Sequence, residues 1–258
     1  MKTKNKVYPT TKIFRIGEEK INNYGNYKMK IIEYINEKDI YIQFQDKHKS
    51  IVHTNYHAFI QGKVKNPFYP YVYGIGYIGE CSGKLNNKID KQAYKTWFSM
   101  LKRCYDEKSL KESPTYKNCS VCVEWHNFKN FRNWYIKNYY ELNESLSLDK
   151  DILFKNNKIY SPKNCLLVPK KINSCFVYAY KDTIHTIQDN NKKYYTVQLG
   201  NKKCKFKTKK DALYQRNKFY NKRLKNHLRQ YKGKIPNELY KIIYDKIDLI
   251  CGEPQDED

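Results

Sequence analysis

Residues 148–173 carry polar side chains at motif-like spacing between two hydrophobic anchors, and this segment limits the choice of folds more than any other. It opens with Leu148–Asp151, turns through the asparagine-rich Asn156–Lys158, continues with Tyr160–Cys165, and closes at Asn173. Basic and aromatic-rich segments lie on both sides of it. This arrangement indicates a chain that holds a polyanion around a small polar site.

The charge of the chain points to the same class of ligand. Its 258 residues include 50 Lys and Arg against 26 Asp and Glu, a formal net charge of +24. A protein confined to metabolite chemistry has no need of such a surplus, because self-repulsion costs stability. A chain that neutralises phosphates gains affinity from counterion release, so the composition predicts a nucleic-acid partner. The 26 Tyr residues are explained largely by an AT-rich genome.

The sequence also suggests where the protein works. No segment approaches the roughly 20 apolar residues of a membrane span, and Met1–Lys6 lacks the apolar core of a signal peptide. We therefore expect no membrane partner and a cytoplasmic location, in a bacterium or in a phage-infected cell. Eight Cys residues in a long chain without an export signal predict reduced thiols or a metal site, not a disulfide framework.

Hydrophobic periodicity predicts an α+β fold. The stretch Ile40–Phe44 alternates apolar and polar side chains as a half-buried strand does, whereas the aromatic residues of Trp125–Asn138 recur at helical spacing and predict a core helix. The predicted parts are a small β module (1–67), a Gly- and Tyr-rich linker in an extended segment or turn (68–90), a central domain with flanking helices (91–175) and a basic C-terminal domain (176–258).

Five short motifs follow one another in a fixed order in the central domain. They are Arg103-Cys104, Val121–Trp125, Leu148-Asp149-Lys150, Tyr160–Cys165 and the closing Asn173. Their succession resembles a family of phage and mobile-element HNH-type endonucleases, which carry Arg-Cys, Val-Cys-x-x-Trp, Leu-Asp-Arg-Ile-Asp, Tyr-Ser-Pro-Glu-Asn-Cys-Arg-Trp and a final Asn. The resemblance implies a ββα-metal core, in which a hairpin and the following helix hold one divalent ion beside the scissile phosphate.

The resemblance assigns a role to each matching position. Asp149 corresponds to the carboxylate ligand of Mg²⁺ (or Mn²⁺), Asn173 to the second metal ligand on the helix, and Asn164 to the asparagine that pins the hairpin. Lys150 lies where better-known HNH nucleases carry a general-base His and where the family that this chain resembles usually has Arg. A lysine is a poor base unless burial lowers its pKa far.

Each of these residues also has a purely structural interpretation. Asp149 could open the asparagine-rich turn, and Asn164 could be a turn former or a helix cap. The Asp that the family carries two residues after the position of Lys150 is replaced by Ile152, although Asp151 is adjacent. The hydrolytic site is therefore incomplete, and the sequence leaves retained cleavage open.

The cysteines of the central domain allow two interpretations. Cys119 and Cys122 have the spacing of zinc ligands, and Cys104 and Cys165 could complete four thiolates around a structural Zn²⁺. The alternative is that all four are small buried hydrophobic side chains.

The C-terminal domain is strongly basic and β-patterned at its start. Residues 184–208 contain three short strand-like runs, and Thr208 caps a following helix. Between Lys202 and Lys234 there are 14 Lys and Arg against a single acidic residue, Asp211. A three-stranded sheet followed by one helix resembles the Apetala-type DNA-binding domain, whose sheet enters the major groove. The resemblance implies DNA contacts at Lys193, Tyr195, Gln198, Lys203 and Lys205.

The sequence thus predicts a small N-terminal β module, a central ββα-metal (HNH-like) core and a C-terminal three-stranded sheet plus helix. The predicted function is a phage-type DNA-binding HNH-like homing endonuclease that hydrolyses phosphodiester bonds of double-stranded DNA with one divalent metal. The alternative is a catalytically inactive DNA-binding protein, acting as a regulator or as an inhibitor of a host nuclease or defence system. An RNA partner fits the charge equally well and is disfavoured only by the resemblance.

Overall fold

The protein divides into two compact units. The first comprises the chain up to Lys117 together with Val121–Asn133, and the second comprises Asn118–Ser120 and the chain from Trp134 onwards. The structure, a computed structural model, describes residues 15–80, 87–180, 184–189 and 192–250.

The N-terminal module is a four-stranded antiparallel sheet. Its strands are β1 (Glu19–Ile21), β2 (Lys28–Asn36), β3 (Asp39–Phe44) and β4 (Ile51–Thr54), in that spatial order. Every second residue of β3 is fully buried, which confirms the predicted alternation and turns one face of the sheet into a core. The short helix α1 (Tyr56–Ile60) contributes Phe59 to that core.

The Gly- and Tyr-rich segment after this module forms a tight turn, as predicted. Val72 pairs with Gly76 across it, and Gly74 has a positive φ of 69°. A side chain at Gly76 would come within 2.4 Å of Leu101 and 2.8 Å of Trp97, so the segment lies flat against a helix. Gly76 therefore serves close packing and Gly74 serves the turn. Residues 81–86 of the predicted linker lie outside the described residues.

Two aromatic-rich helices form the rest of the first unit's core. Helix α2 (Lys88–Tyr105) begins at the Asn87 cap, and the short α3 (Glu107–Glu112) follows it. Helix α4 (Phe128–Asn138) begins three residues later than predicted, because Val123–His126 form a separate 3₁₀ turn. Trp97, Trp125, Phe128 and Phe131 are almost fully buried, which confirms the aromatic stripe as core.

The second unit contains an antiparallel strand pair followed directly by a helix. Strands β6 (Leu146–Asp149) and β8 (Leu166–Pro169) pair so that Asp149 lies opposite Leu166. Helix α5 (Lys170–Tyr180) continues from β8 without a loop and packs against both strands. The two-residue strands β5 (Ser120–Val121) and β7 (Ile159–Tyr160) are also paired.

The C-terminal region has the predicted three-stranded sheet and capped helix. Helix α6 runs from Lys209 to Arg229, and the Thr208 side chain accepts a hydrogen bond from the backbone of Asp211 at its start. A last helix, α7, spans Asn237–Ile250. The strands β9 (Ile184–Asp189), β10 (Lys192–Leu199) and β11 (Lys202–Phe206) are antiparallel in the order β11-β10-β9.

The α+β class, with its N-terminal sheet and its C-terminal sheet plus helix, is thus confirmed. The predicted boundary between residues 175 and 176 falls inside α5. Residues on both sides of it share one hydrophobic core, made of Ile152, Val168, Ile172, Cys175, Phe176, Ala179, Leu224, Leu228, Tyr231, Ile235, Ile243 and Ile247. Within the described ranges, no helix has the length and apolar character needed to cross a membrane.

Candidate metal centre and nucleic-acid interface

Asp149 is the last residue of β6, and its carboxylate is almost fully buried. Its Oδ1 accepts hydrogen bonds from the backbone N–H groups of Asp151 (2.9 Å) and Ile152 (2.6 Å). This turn stops the strand and fixes the carboxylate, while leaving Oδ2 outside the turn. Burial raises the pKa of Asp149 to about 6, although the two backbone hydrogen bonds act in the opposite direction.

Lys150 is buried as well, and its ammonium group is fully engaged. Its Nζ lies 2.8 Å from both carboxylate oxygens of Asp151 and 2.6 Å from the carbonyl oxygen of Asn157. An ammonium group has three protons and no acceptor, so these three bonds use its whole donor capacity. Lys150 therefore holds the loop between β6 and β7, and in this state it has no lone pair with which to take a proton.

Asn157, which sequence reasoning passed over as a turn residue, pins this loop. Its Nδ2 donates to the carbonyl oxygens of Lys150 (3.0 Å) and Ile159 (2.7 Å), and its Oδ1 accepts from the backbone N–H of Ile159 (3.1 Å). Asn164 lies beside it and donates to Oδ1 of Asn157 (3.3 Å) and to the carbonyl oxygen of Ile159 (3.4 Å). The shorter backbone contacts thus belong to Asn157, and Asn164 supports it.

Asn173 lies in the first turn of α5, the helix that packs against β6 and β8. Its Oδ1 is shielded from solvent and accepts no hydrogen bond from any described residue. Buried polar atoms almost always have a partner in native proteins, so an unsatisfied amide oxygen asks for a further explanation. A bound cation would supply one.

The donor set of the site is compatible with the predicted divalent ion. Mg²⁺ and Mn²⁺ take oxygen ligands, and Mg²⁺ keeps several of its waters. The Asp149 carboxylate and the Asn173 amide oxygen are of this kind, and a cation would offset both the burial of the first and the missing partner of the second. Within the described residues, no group of three or more His, Cys, Asp or Glu side chains converges on a metal position. A cation here would rely on one carboxylate, one amide and water.

The four cysteines predicted as zinc ligands are divided between the two units. Cys104 and Cys122 belong to the first unit, and Cys119 and Cys165 belong to the second. All but Cys122 are buried, and none of the described cysteines forms a disulfide with another. Burial raises the pKa of the Cys122 thiol, which favours the protonated form of a packed side chain. The burial matches the hydrophobic interpretation, and the zinc site stays a prediction.

The strand register assigns the predicted DNA contacts to the two faces of the C-terminal sheet. Opposite residues of antiparallel strands share a face, and the pairings Gln198↔Lys203 and Thr196↔Lys205 place Gln198, Lys203 and Lys205 together. Tyr194 belongs to this face too, because Nζ of Lys205 lies 3.9 Å from its ring centroid. Gln198, Lys203 and Lys205 are exposed on this surface, although Thr196 in its centre is only 3% exposed, and we call it the open face.

The opposite face of the sheet packs on helix α6. Val197 is 1% exposed in its centre, and the turn residue Gly200 lies against Phe219 of α6. Lys193 and Tyr195 share the parity of Val197, and Nζ of Lys193 lies 5.6 Å from the Tyr195 ring centroid. Of the five predicted contacts, these two therefore lie on the helix side. Alternation along β10 would have shown Tyr194, not Tyr195, to share a face with Gln198.

Comparison with protein-family models, with curated proteins and with solved structures gave no match to this chain.

Proposed function

We propose that this protein binds double-stranded DNA and hydrolyses phosphodiester bonds with one divalent cation, Mg²⁺ or Mn²⁺, as an HNH-like endonuclease of phage or homing type. Two observations carry the proposal: Asp149 is a buried carboxylate at the end of a strand, and Asn173 has a buried and unsatisfied amide oxygen on the helix that packs against this strand. Both features cost folding free energy, and a cation between them would offset the cost.

The residues of the site have separate roles. A bound divalent ion supplies charge stabilisation at the scissile phosphate and acidifies its water. Asp149 and Asn173 would hold it, and the turn at Asp151 and Ile152 orients the Asp149 carboxylate before the ion arrives. Lys150 maintains the loop conformation and takes no proton, so the attacking water must lose its proton to solvent or to another base.

Duplex binding is assigned to the open face of the C-terminal sheet. Gln198 and Lys203 are exposed there, and Lys205 forms an ion pair with Asp189 while covering the Tyr194 ring. Cationic side chains beside an aromatic ring and an amide offer phosphate contacts and polar base-edge contacts on one surface. The +24 charge of the chain supports the same partner.

A second candidate function is DNA binding without cleavage, as a regulator or as an inhibitor of a host nuclease. The ion pair of Lys150 with Asp151 favours it, because the position of the usual general base is occupied by a fully bonded ammonium group.

The deciding experiment measures metal binding and DNA cleavage in the same preparations. Mn²⁺ binding by electron paramagnetic resonance and nicking of supercoiled plasmid are compared for wild type, Asp149→Asn and Asn173→Ala. Asn138→Ala, an asparagine change on an exposed helix end, is the matched control. Loss of Mn²⁺ binding and nicking in both site variants, with the control unchanged, is the expected result.

The remaining outcomes separate the two candidates. Mn²⁺ binding without nicking, together with salt-sensitive duplex binding, supports the non-cleaving regulator or inhibitor. Wild-type protein that binds no Mn²⁺ overturns the metal centre itself. A single-stranded RNA that competes for the protein better than duplex DNA overturns the choice of partner.

A further inference from the structure

Helices α5 and α6 pack in opposite directions along each other. At one end, Nζ of Lys171 in α5 donates to Oε1 of Gln230 just beyond α6, at 3.1 Å. At the other end, Nη2 of Arg216 in α6 donates to the carbonyl oxygen of Ala179 in the last turn of α5, at 2.6 Å. The first turns of α5 therefore face the last turns of α6.

Three basic side chains meet at that end. Arg223 and His227 are four residues apart on α6, so they lie on one face of the helix, and Gln230 continues this face towards Lys171. Burial lowers the pKa of His227, and the positive charges of Lys171 and Arg223 lower it further. We call Lys171, Arg223 and His227 the basic cluster.

One hydrogen-bonding atom of the basic cluster has no partner in the described part of the chain. Nδ1 of His227 is shielded from solvent and has no hydrogen-bond partner among the described residues. The carboxylate of Glu144 reaches this edge of the unit, but its oxygens accept from the hydroxyl of Tyr231 and from the backbone N–H of Lys171. These two contacts of Glu144 are not ion pairs with the side chains of the basic cluster.

We propose that the basic cluster binds a phosphodiester group of the DNA backbone, an inference that rests on the proposed function. An anion would offset the positive charges of Lys171 and Arg223 and give Nδ1 of His227 a partner. A guanidinium fork and a mobile ammonium are the side chains that recognise phosphate oxygens best in proteins. The exposure of Lys171 and Arg223 leaves the approach open.

The bound phosphate is not the scissile one. Lys171 and Asn173 are two residues apart on α5, and residues at that spacing leave a helix in roughly opposite directions. The Lys171 side chain is directed towards Gln230 at the end of α6, so Asn173 lies on roughly the opposite side of α5. The cluster holds a second point of the backbone and fixes the duplex relative to the metal centre.

The test is duplex affinity as a function of salt for single Gln substitutions. Arg223→Gln and Lys171→Gln are compared with Lys222→Gln, an exposed lysine next to Arg223 that points away from α5. Each cluster variant is expected to weaken binding several-fold and to reduce the slope of log affinity against log salt by about 1. Thermal melts verify that all three variants stay folded.

A direct probe is inorganic phosphate, followed through the imidazole resonances of His227 by NMR. The resonances are expected to move saturably in wild type and only weakly in Arg223→Gln. Equal losses of affinity in Arg223→Gln and Lys222→Gln, or His227 resonances that do not respond to phosphate, overturn the basic cluster while the proposed function stands. Wild-type protein without duplex affinity overturns the proposed function, and the phosphate titration still decides whether the cluster binds anions.

Discussion

Lys150 and Asp151, neighbours in the sequence, form a two-pronged ion pair, with Nζ of the lysine 2.8 Å from each carboxylate oxygen. The third proton of the ammonium group goes to the carbonyl oxygen of Asn157, and the lysine side chain is only 9% exposed. Lys150, which the resemblance places at the general-base position, thus fixes the loop that follows Asp149.

These contacts of Lys150 predict how much it contributes to the stability of the fold. Lys150→Met leaves the Asp151 carboxylate and the Asn157 carbonyl without their partner, and we expect a loss of roughly 1–3 kcal/mol in the free energy of unfolding. The value lies below that of a fully buried pair because Asp151 is about one-third exposed. The double variant Lys150→Met/Asp151→Leu should recover part of the loss, since it removes both charges. Urea denaturation measures both.

Lys163→Met is the matched control, because this lysine is exposed and lies in the turn before β8. It should change the unfolding free energy by less than about 0.5 kcal/mol. If Lys150→Met is as mild as the control, the ion pair does not hold the loop.

A second prediction concerns the two asparagines of the same loop. Asn157→Ala removes two donated hydrogen bonds and one accepted hydrogen bond to the backbone, whereas Asn164→Ala removes two longer ones. We expect Asn157→Ala to cost about 2 kcal/mol of stability and Asn164→Ala about half as much. Thermal and urea denaturation measure the loss of stability in each variant. If Asn164→Ala costs as much as Asn157→Ala or more, Asn164 is the main residue that holds the hairpin.

These two asparagines illustrate how much of the site could be predicted from the sequence. The order of the motifs predicted the segment and its two candidate metal ligands, because Asp149 and Asn173 occupy ends of elements that the hydrophobic pattern already outlines. The partner of a lysine or an asparagine depends on how a loop folds back, and that path has no periodicity to detect. Asn157 was therefore counted as a turn residue, although three backbone hydrogen bonds converge on it.

For the C-terminal sheet, too, the sequence predicted the strands but not which of its two faces packs on the helix. The sequence predicted three strands and a capped helix because alternation and the Thr208 cap are local signals. Which parity faces the helix depends on register and packing, and a shift by one residue exchanges the faces. Tyr195 was predicted as a DNA contact from the resemblance, whereas Tyr194 has the ring that lies beneath Lys205 on the open face.

The different positions of Tyr194 and Tyr195 lead to a testable prediction for duplex binding. On the open face, Lys203→Gln and Tyr194→Ala are expected to weaken duplex binding, and Lys203→Gln should lower the salt slope by about 1. Tyr195→Phe, on the helix side, keeps the packed ring and should bind as wild type does. Fluorescence anisotropy with a labelled duplex measures all three. Binding that depends on the Tyr195 hydroxyl and not on Tyr194 would contradict the assignment of the faces.

The raised pKa of Asp149 gives a pH prediction for the metal-free protein. Its pKa is about 6 in the folded state against 3.8 ordinarily, so the folded state binds the proton more tightly. The stabilisation is complete below about pH 4 and is lost as the pH rises through 6. Asp149→Asn does not titrate and can still accept the backbone hydrogen bonds of the turn. In EDTA it should be more stable than wild type at neutral pH, by at most about 3 kcal/mol, and similar to it near pH 4.

Urea denaturation in EDTA across this pH range checks the prediction, because every other carboxylate is common to both proteins. Added Mg²⁺ should stabilise wild type and leave Asp149→Asn unchanged, since a ligand stabilises only the state that binds it. A stability difference that does not vary with pH would mean that the Asp149 carboxylate is better solvated than its burial indicates.

The second unit has one shared core, and a truncation at the predicted domain boundary would cut through it. Ile172 and Phe176 of α5 pack in one cluster with Leu224 and Leu228 of α6, and Arg216 of α6 is 6% exposed while bonded to the end of α5. The strand pair and α5 therefore bury their apolar surface largely against the basic C-terminal region. A sequence-derived cut between these parts would expose that surface to water.

We therefore expect a chain that ends at Cys175 to lose the structure of the candidate metal centre as well as the proposed DNA affinity. Cutting α5 within its second turn removes Phe176 and every α6 residue of the core, a loss far beyond that of a single large-to-small substitution. NMR dispersion of the residues of β6 and β8, together with Mn²⁺ binding, measures the effect. The comparison is a full-length Lys203→Gln/Lys205→Gln variant, which should lose duplex affinity and keep both signals. If the shortened chain keeps native dispersion and binds Mn²⁺, the centre folds independently, and the boundary at residues 175 and 176 separates two true domains.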